Sequence, residues 1–380
     1  MQRSGFKMRA LFGMIFGAGV LLFVSKKEQT GKPVTGLFYR RMFWLVIFGL
    51  IHAHLILWNG DILYLYGICG MIVYLFRNVN PKWLLLGVPI VALVNFGSDA
   101  GFYSYVRGMR LEYVEAQRVK EAGQPLTEAQ DKAIADWRAL EKDFIPNRED
   151  TKEIVDKMKS DYSTVASYVR PIALKIQTLF LPFMLWDSLA LMLLGLALYR
   201  WGFLTGQWSN ASYLKVIAVG YGLGFPLVLW NLIHHFGTVP NVEAGLARME
   251  QVPIEWTGLI YPFQRILLVL GHVSVLVLLY KSGVGKGLFR CLEAVGQMAF
   301  TNYIMHSVIC TLVFFGYGLN QYANWQYYQV ILFAMAIWIL QLIISPLWLK
   351  YFLFGPLEWL WRSLTYWKIQ PFRRTTAAGG

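Results

Sequence analysis

The chain has 380 residues, of which 56% are hydrophobic and 16% aromatic, and its formal net charge is +13. The hydrophobic residues form long uninterrupted blocks, which excludes an ordinary soluble globular protein and predicts an all-α, polytopic helical membrane protein. The basic residues cluster in short loops at the ends of these blocks, so we expect the lipid bilayer as a partner and no nucleic acid. Three cysteines without a ligand motif predict neither a disulfide framework nor a metal site.

Hydropathy predicts about nine transmembrane helices. Their expected bounds are 9–24, 42–58, 62–76, 83–97, 175–199, 213–233, 257–280, 294–316 and 327–349. The positive-inside pattern places the basic loop 25–41 and the C-terminal tail in the cytoplasm. Arg9 then lies at the outer end of the first helix, either as a snorkelling anchor or as a site residue.

Composition divides the chain into four parts. We expect transmembrane helices 1–4 in residues 1–97, an extracytoplasmic helical insert in 98–171, helices 5–9 in 172–350, and an interfacial amphipathic helix with a cytoplasmic tail in 351–380. The insert is rich in charges of both signs and predicts two or three amphipathic helices, with a capping box at Thr127 and Gln130. It is interpreted either as a cap over the membrane part or as a solvated hairpin.

The second and third predicted spans contain the most informative polar residues. His52 and His54 lie in an apolar run, and an Asn59-Gly60-Asp61 break follows them. The two histidines are about 200° apart around a helix, so they cannot face one cavity unless the helix is irregular. His52 shares a stripe with Arg41 and Asn59, which favours His52 as the site residue. The alternative is a core histidine that bonds to a neighbouring helix.

Polar residues also interrupt three later spans. Asp187 lies near the middle of the fifth span, where a carboxylate should be protonated, paired or facing a polar cavity. Gln264 and Arg265 lie either near the outer interface or deeper, depending on where the seventh span begins. Asn302 and His306 are four residues apart in the eighth span, where they either orient a substrate or hydrogen-bond between helices.

Several stretches resemble one family of bacterial membrane proteins. They are RALFGMIFGAGVLLF (9–23), FYRRMFWLVIFGLIHAHLILWNGDIL (38–63), GQMAFTNYIMHSVICTLVFFGYGL (296–319) and GPLEWLWRSLTYW (355–367). These stretches resemble the YeiB family of bacterial inner-membrane proteins, long catalogued as a domain of unknown function. That family is in turn similar to transmembrane acyltransferases, including heparan-alpha-glucosaminide N-acetyltransferase. By this resemblance a further span carrying an Asp-x-x-Arg-Gly type motif is expected before the first helix.

The resemblance implies a multi-pass inner-membrane acyltransferase that moves an acyl group from cytoplasmic acyl-CoA to an extracytoplasmic acceptor, such as a sugar or a cell-envelope component. Acyl-CoA is then a co-substrate and no covalently bound cofactor is expected. Arg40 and Arg41 are expected to bind the CoA phosphates, while His52 and Asp61 are the candidate catalytic residues. The candidate substrate-binding residues are Asn59, Asn302, His306, Asp187, Gln264, Arg265 and Arg9.

The sequence also allows two alternatives to an acyltransferase. The chain could instead be a secondary transporter or flippase for a small or envelope-related solute, with Asp187 and Arg265 as an intramembrane relay. The other alternative is a non-catalytic scaffold, which would lack a continuous cavity.

Two further partners are expected. A homodimer is one candidate oligomeric state, and the acceptor is a small molecule or a glycan.

Overall fold

The computed structural model of the protein describes residues 5–28, 34–145 and 147–374, without the side chains of residues 5–9 and 143–144. The candidate side chain of Arg9 therefore lies outside the described part. In the described ranges the regular secondary structure is entirely helical, which confirms the predicted all-α class. The helices are α1 (Gly5–Glu28), α2 (Thr35–His54), α3 (Leu63–Leu75), α4 (Pro81–Glu121), α5 (Glu128–Phe144), α6 (Arg148–Met158), α7 (Tyr162–Gln177), α8 (Leu181–Arg200), α9 (Asn210–Thr238), α10 (Val242–Gln251), α11 (Thr257–Ser282), α12 (Lys286–Gln297), α13 (Ala299–Phe314), α14 (Tyr327–Tyr351) and α15 (Pro356–Tyr366).

Six helices of the described chain are long and apolar enough to cross a bilayer, and they indicate a membrane protein. They are Ala10–Glu28 of α1, together with α4, α8, α9, α11 and α14. The predicted count of about nine spans is not confirmed. Helices α3 and α13 are apolar but shorter than a straight span, and Arg40 and Arg41 with the terminal histidines reduce the hydropathy of α2.

The chain forms two compact units. Unit 1 contains Met1–Leu11, Leu86–Ile154 and Trp208–Val275, and unit 2 contains Phe12–Leu85, Val155–Gln207 and Leu276–Gly380. The expected insert is divided between them, because residues 98–154 belong to unit 1 and residues 155–171 to unit 2. The expected boundary at residue 97 falls inside α4, which continues unbroken from the apolar into the polar part of the sequence.

In unit 1 the polar end of α4 is fixed to the end of α10. The Arg107 guanidinium donates to the carbonyls of Met249 and Glu250, each at 3.0 Å, and Arg110 forms an ion pair with the Glu250 carboxylate at 2.8 Å. Arg107 thus satisfies carbonyls that the last turn of a helix leaves without an intrahelical donor. The next helix, α5, begins with the predicted capping box, which is confirmed because Thr127 and Gln130 bond reciprocally.

In unit 2 the glycines of α1 allow it to pack closely against α8. A side chain at Gly17 would collide with the backbone of Met192, and one at Gly195 would collide with the backbone of Met14. Small residues thus allow the two backbones to approach closely, with one glycine on each helix at the contact. Helix α2 also packs against α3, α7 and α15, so it lies at the centre of this unit.

Candidate functional site

The candidate site lies at the connection between α2 and α3. Helix α2 ends at His54, and Leu57 follows in the left-handed region with φ of 63°. A branched side chain in this conformation costs on the order of 1–3 kcal/mol unless its surroundings hold it. Leu57 is buried, and the amide of Trp58 donates to the His52 carbonyl at 3.2 Å. These contacts turn the chain back over the end of α2.

This turn brings His52 and Asp61 together. The His52 Nδ1 atom lies 2.7 Å from Asp61 Oδ1, and the two side chains are 0% and 2% exposed. The second carboxylate oxygen accepts a hydrogen bond from the backbone amide of Tyr64 at 2.8 Å, in the first turn of α3. Both catalytic residues predicted from the sequence thus lie in one buried pair, and each Asp61 oxygen has a defined partner.

Gly49 makes room for this arrangement. A Cβ atom built at Gly49 would lie 2.7 Å from Asp61 Oδ2 and would collide with the backbone of Tyr64. Any side chain here would therefore push the start of α3, and the carboxylate with it, away from His52. The close approach of α2 and α3 is what allows the Asp61 carboxylate to reach the imidazole.

The other imidazole nitrogen has no hydrogen-bond partner among the residues that the structure describes. His52 Nε2 is buried, and within the described residues it makes no hydrogen bond. The ring lies against Tyr303 of α13, with centroids 5.0 Å apart, and beside Trp58 at 6.4 Å. Tyr303 also accepts a hydrogen bond from the Ile62 amide at 3.2 Å, so α13 supports the same turn.

The chemistry of the pair follows from these bonds. An ionised Asp61 accepts the proton of Nδ1, so the neutral imidazole presents a lone pair at Nε2. A histidine whose one nitrogen is held by a carboxylate and whose other nitrogen is open is equipped to take a proton from a hydroxyl or amine. A buried nitrogen without a partner is expensive, so Nε2 is a position where a water, a ligand or a substrate can bond.

His54 has a different role from His52. Its Nε2 atom pairs with Gln177 Oε1 of α7 at 2.9 Å, and its carbonyl accepts a bond from Arg170 at 3.0 Å. The two histidines thus face different neighbours, as the 200° separation along α2 requires. Asn59, on the connecting segment, is exposed.

Asn302 makes its hydrogen bonds within the protein. Its amide nitrogen donates to the Val295 carbonyl at 3.1 Å and to Ser345 of α14 at 3.0 Å, while Gln341 donates to the Asn302 carbonyl at 3.0 Å. This geometry gives Asn302 an interhelical packing role. His306, the neighbour predicted to share its face, is half-buried and lies 3.8 Å from the Cys310 sulfur.

The remaining candidates lie elsewhere. Asp187 is half-buried on α8 in unit 2. Gln264 and Arg265 are both buried on α11 in unit 1, and the Arg265 guanidinium lies 5.2 Å from the Tyr261 ring. Arg41, near the start of α2, lies against the Trp361 ring of α15, and Arg40 lies against the Trp367 ring just after that helix. Within the described residues, no cluster of three metal-binding side chains is present.

Sequence reasoning missed Tyr303, Trp58 and Gly49. Tyr303 belongs to the TNY patch, one residue after Asn302, but nothing in one sequence indicates that its ring meets His52. Trp58 lies four residues after His54, so helical spacing associates it with His54 and not with His52. The available signal for Gly49 was its position three residues before His52, on the side of α2 that faces the returning chain.

Comparison of the sequence with known proteins identifies its family. The profile described as "Protein of unknown function (DUF418)" matches residues 198–368. The uncharacterized protein YxaH of Bacillus subtilis is 30% identical over 375 residues, covering 96% of this chain and 81% of YxaH. The chain belongs to the YeiB-like family.

Two further relatives support the assignment. The uncharacterized protein YeiB of Escherichia coli is 26% identical, over 94% of this chain and 81% of YeiB. An uncharacterized 39.9 kDa protein of Bacillus acidopullulyticus is 24% identical, over 94% of this chain and 79% of its own length. No solved structure matches the chain.

Proposed function

We propose that this YeiB-like protein is an integral-membrane acyltransferase of the bacterial inner membrane, with His52 as the general base and Asp61 as the residue that orients it. The observation that carries the proposal is the buried His52 ring, whose Nδ1 is held by Asp61 at 2.7 Å and whose Nε2 has no partner in the described chain. Because the transfer of an acyl group needs a base for the acceptor proton, an open and oriented imidazole suits this reaction.

The proposed reaction transfers the acyl group from the CoA sulfur to the acceptor atom. His52 Nε2 takes the proton of an acceptor hydroxyl or amine, and the acceptor atom attacks the thioester carbonyl carbon of acyl-CoA. The carbon–sulfur bond then breaks, and the CoA thiolate leaves and takes up the proton. Asp61 stabilises the imidazolium that forms in between, since a carboxylate on Nδ1 favours the charged ring.

Helix α2 carries a candidate binding group for each end of acyl-CoA, the acyl donor. Arg40 and His52 lie on the same helix, about 18 Å apart along its axis at 1.5 Å per residue. Acyl-CoA likewise carries its phosphates and its thioester at opposite ends of an extended arm. In this proposal Arg40 and Arg41 bind the phosphates, and the thioester reaches the His52 end. The acceptor, a sugar or another envelope component, enters from the opposite side of the membrane.

Release of free CoA thiol from acetyl-CoA by the purified protein in lipid nanodiscs tests the proposal. We expect wild-type protein to cleave the thioester faster when a hydroxylated or amine acceptor is present, and His52→Gln to lose the activity. Ser345→Ala, far from His52 in sequence and part of the Asn302 packing cluster, is the matched control. Wild-type protein that neither binds nor cleaves acetyl-CoA would contradict the proposal. Solute flux in sealed vesicles without acyl-CoA would favour the transporter alternative.

A further inference from the structure

Two arginines at the start of α2 lie on aromatic rings, one within α15 and one on the residue that directly follows it. The Arg41 guanidinium carbon is 3.6 Å from the Trp361 ring centroid, and the Trp361 indole donates to the Arg41 carbonyl at 2.9 Å. The Arg40 guanidinium is 5.9 Å from the Trp367 ring. Cation–π contacts of this kind position a guanidinium without neutralising its charge.

Helix α15 brings a third arginine to the same place. The Arg362 guanidinium lies 5.3 Å from the Tyr366 ring, one helical turn away, and Lys27 at the end of α1 lies 4.9 Å from that ring. Arg362 and Tyr366 are also close enough to Arg41 to act on it electrostatically. Cationic groups from three helices of unit 2 thus surround one tyrosine.

Several donors in this cluster lack an acceptor. Arg40 Nε, Arg362 Nε and the Tyr366 hydroxyl are buried and make no hydrogen bond within the part of the chain that the structure describes. The Glu358 carboxylate of α15 is not an acceptor for these donors, because it faces the start of α13. There it accepts from the amides of Phe300 and Thr301, at 2.7 and 3.0 Å.

A bound anion would balance the excess positive charge and accept hydrogen bonds from the unmet donors. Like charges that are partly removed from water repel one another, and each buried donor without an acceptor costs on the order of 1–3 kcal/mol. Aromatic contacts leave the Nε donors unmet, so they do not explain the cluster by themselves. A phosphate group offers several acceptor oxygens, and two of them can accept from the planar fork of one guanidinium.

We infer that Arg40, Arg41, Arg362 and Tyr366 form a binding site for a phosphate ester, to which α15 contributes as much as α2. Where that ester belongs to acyl-CoA, the inference rests on the proposed function and adds the C-terminal helix to the donor site. The phosphate of an anionic phospholipid presents the same chemistry to the same donors. The C-terminal helix was predicted only as an interfacial element, and neither Arg362 nor Tyr366 was a candidate site residue.

The test uses the full-length protein in nanodiscs of zwitterionic phosphatidylcholine. In one arm, CoA without an acyl group is titrated by calorimetry. In the other, phosphatidylglycerol that stays bound through purification is counted by native mass spectrometry. We expect Arg362→Gln to weaken binding roughly 10- to 100-fold in the arm that reports the true ligand, and Tyr366→Phe to weaken it about tenfold or less. Arg290→Gln, an exposed basic residue on α12, is the control and should not change either readout.

The two arms distinguish a soluble phosphate ester from a lipid headgroup. CoA binding that Arg362→Gln weakens identifies a soluble phosphate ester, and retained phosphatidylglycerol that the same variant loses identifies a lipid headgroup. Tyr366→Phe keeps the ring on which the cations lie, so it tests the hydroxyl even if Arg362→Gln fails to fold. Wild-type protein that binds neither probe, or variants that bind both as wild type does, would overturn the site. CoA binding without thioester cleavage would keep the site and contradict the proposed function.

Discussion

Two of the clusters of buried polar side chains in unit 2 differ in whether their hydrogen bonds are complete. In the first, which we call the dyad, His52 and Asp61 bond to each other and His52 Nε2 is left without a partner in the described chain. In the second, which we call the amide cluster, the Asn302 side chain bonds to Val295 and to Ser345. The amide cluster joins α13 to α14 and is complete without a ligand. The dyad is incomplete, so it is the better candidate for chemistry.

The backbone is irregular at the dyad and regular at the amide cluster. The dyad is assembled by an irregular turn with Leu57 in the left-handed region, whereas the residues of the amide cluster lie in regular helix. Strained backbone is kept where the surrounding structure holds it in place, and it collects at functional sites. We therefore expect substitutions in the dyad to affect activity more than stability, and substitutions in the amide cluster to do the reverse.

The largest effect is expected for Asp61→Asn. The amide keeps the size of the carboxylate but cannot stabilise an imidazolium, and its NH₂ group would favour the tautomer with the proton on Nε2. We expect thioester cleavage to fall by roughly 10²- to 10⁴-fold, within the range of general acid–base catalysis. The rate is measured by thiol release, alongside the thermal unfolding midpoint. An Asp61→Asn protein with wild-type activity would remove the distinction between the two clusters.

Gly49→Ala should disrupt the dyad through packing. The new methyl group would collide with the start of α3 and approach Asp61, so we expect a loss of about 1–3 kcal/mol in stability together with loss of activity. Gly36→Ala is the matched control on the same helix, because a Cβ there meets nothing within 4 Å. The control should be neutral or slightly stabilising in a thermal unfolding assay. Equal effects of the two substitutions would show that α2 and α3 do not pack as described.

Ser345→Ala should destabilise the amide cluster and spare activity. Truncation removes one acceptor of the buried Asn302 amide, which leaves a donor unmet at a cost of about 1–2 kcal/mol. A lower unfolding midpoint with an unchanged rate of thioester cleavage per folded molecule is the expected result. A loss of activity at full stability would assign the amide cluster to the site after all.

The smallest effect is expected at an ion pair of unit 1 that is only partly buried. Arg248 donates to Glu255 at 2.8 Å and holds the pKa of that carboxyl below its ordinary value. Because the folded pKa is lower than the unfolded one, the pair stabilises the fold above the ordinary glutamate range. The contribution is lost as the pH falls through the folded pKa.

Hydrogen exchange of residues 252–257, corrected for intrinsic rates, reports this loss. Protection should decrease as the pH is lowered from 7 to below about 4, the ordinary range of a glutamate. In Arg248→Met the protection should be weak already at pH 7 and change little with acid. A wild-type segment that keeps its protection through the acid range would show that the pair does not hold it.

Local rules predicted part of this structure. Helical geometry separated His52 from His54, and the Thr127 capping box marked the start of α5, because both depend only on residues within a turn or two. The meeting of His52 with Asp61 depends on the left-handed Leu57 and on space at Gly49, which a pattern of apolar residues does not encode. Tyr303 and Arg362 reach their neighbours from more than 240 residues away, measured from Ile62 and Arg41 respectively, so only the fold could identify them.

The most direct measurement compares His52→Gln and Ser345→Ala in one nanodisc preparation, with the rate of CoA release from acetyl-CoA and the unfolding midpoint recorded for each. If His52 is the base, His52→Gln loses roughly 10²- to 10⁴-fold in rate at a nearly unchanged midpoint, and Ser345→Ala shows the opposite pattern. A His52→Gln protein that releases CoA at the wild-type rate would contradict the assignment of His52.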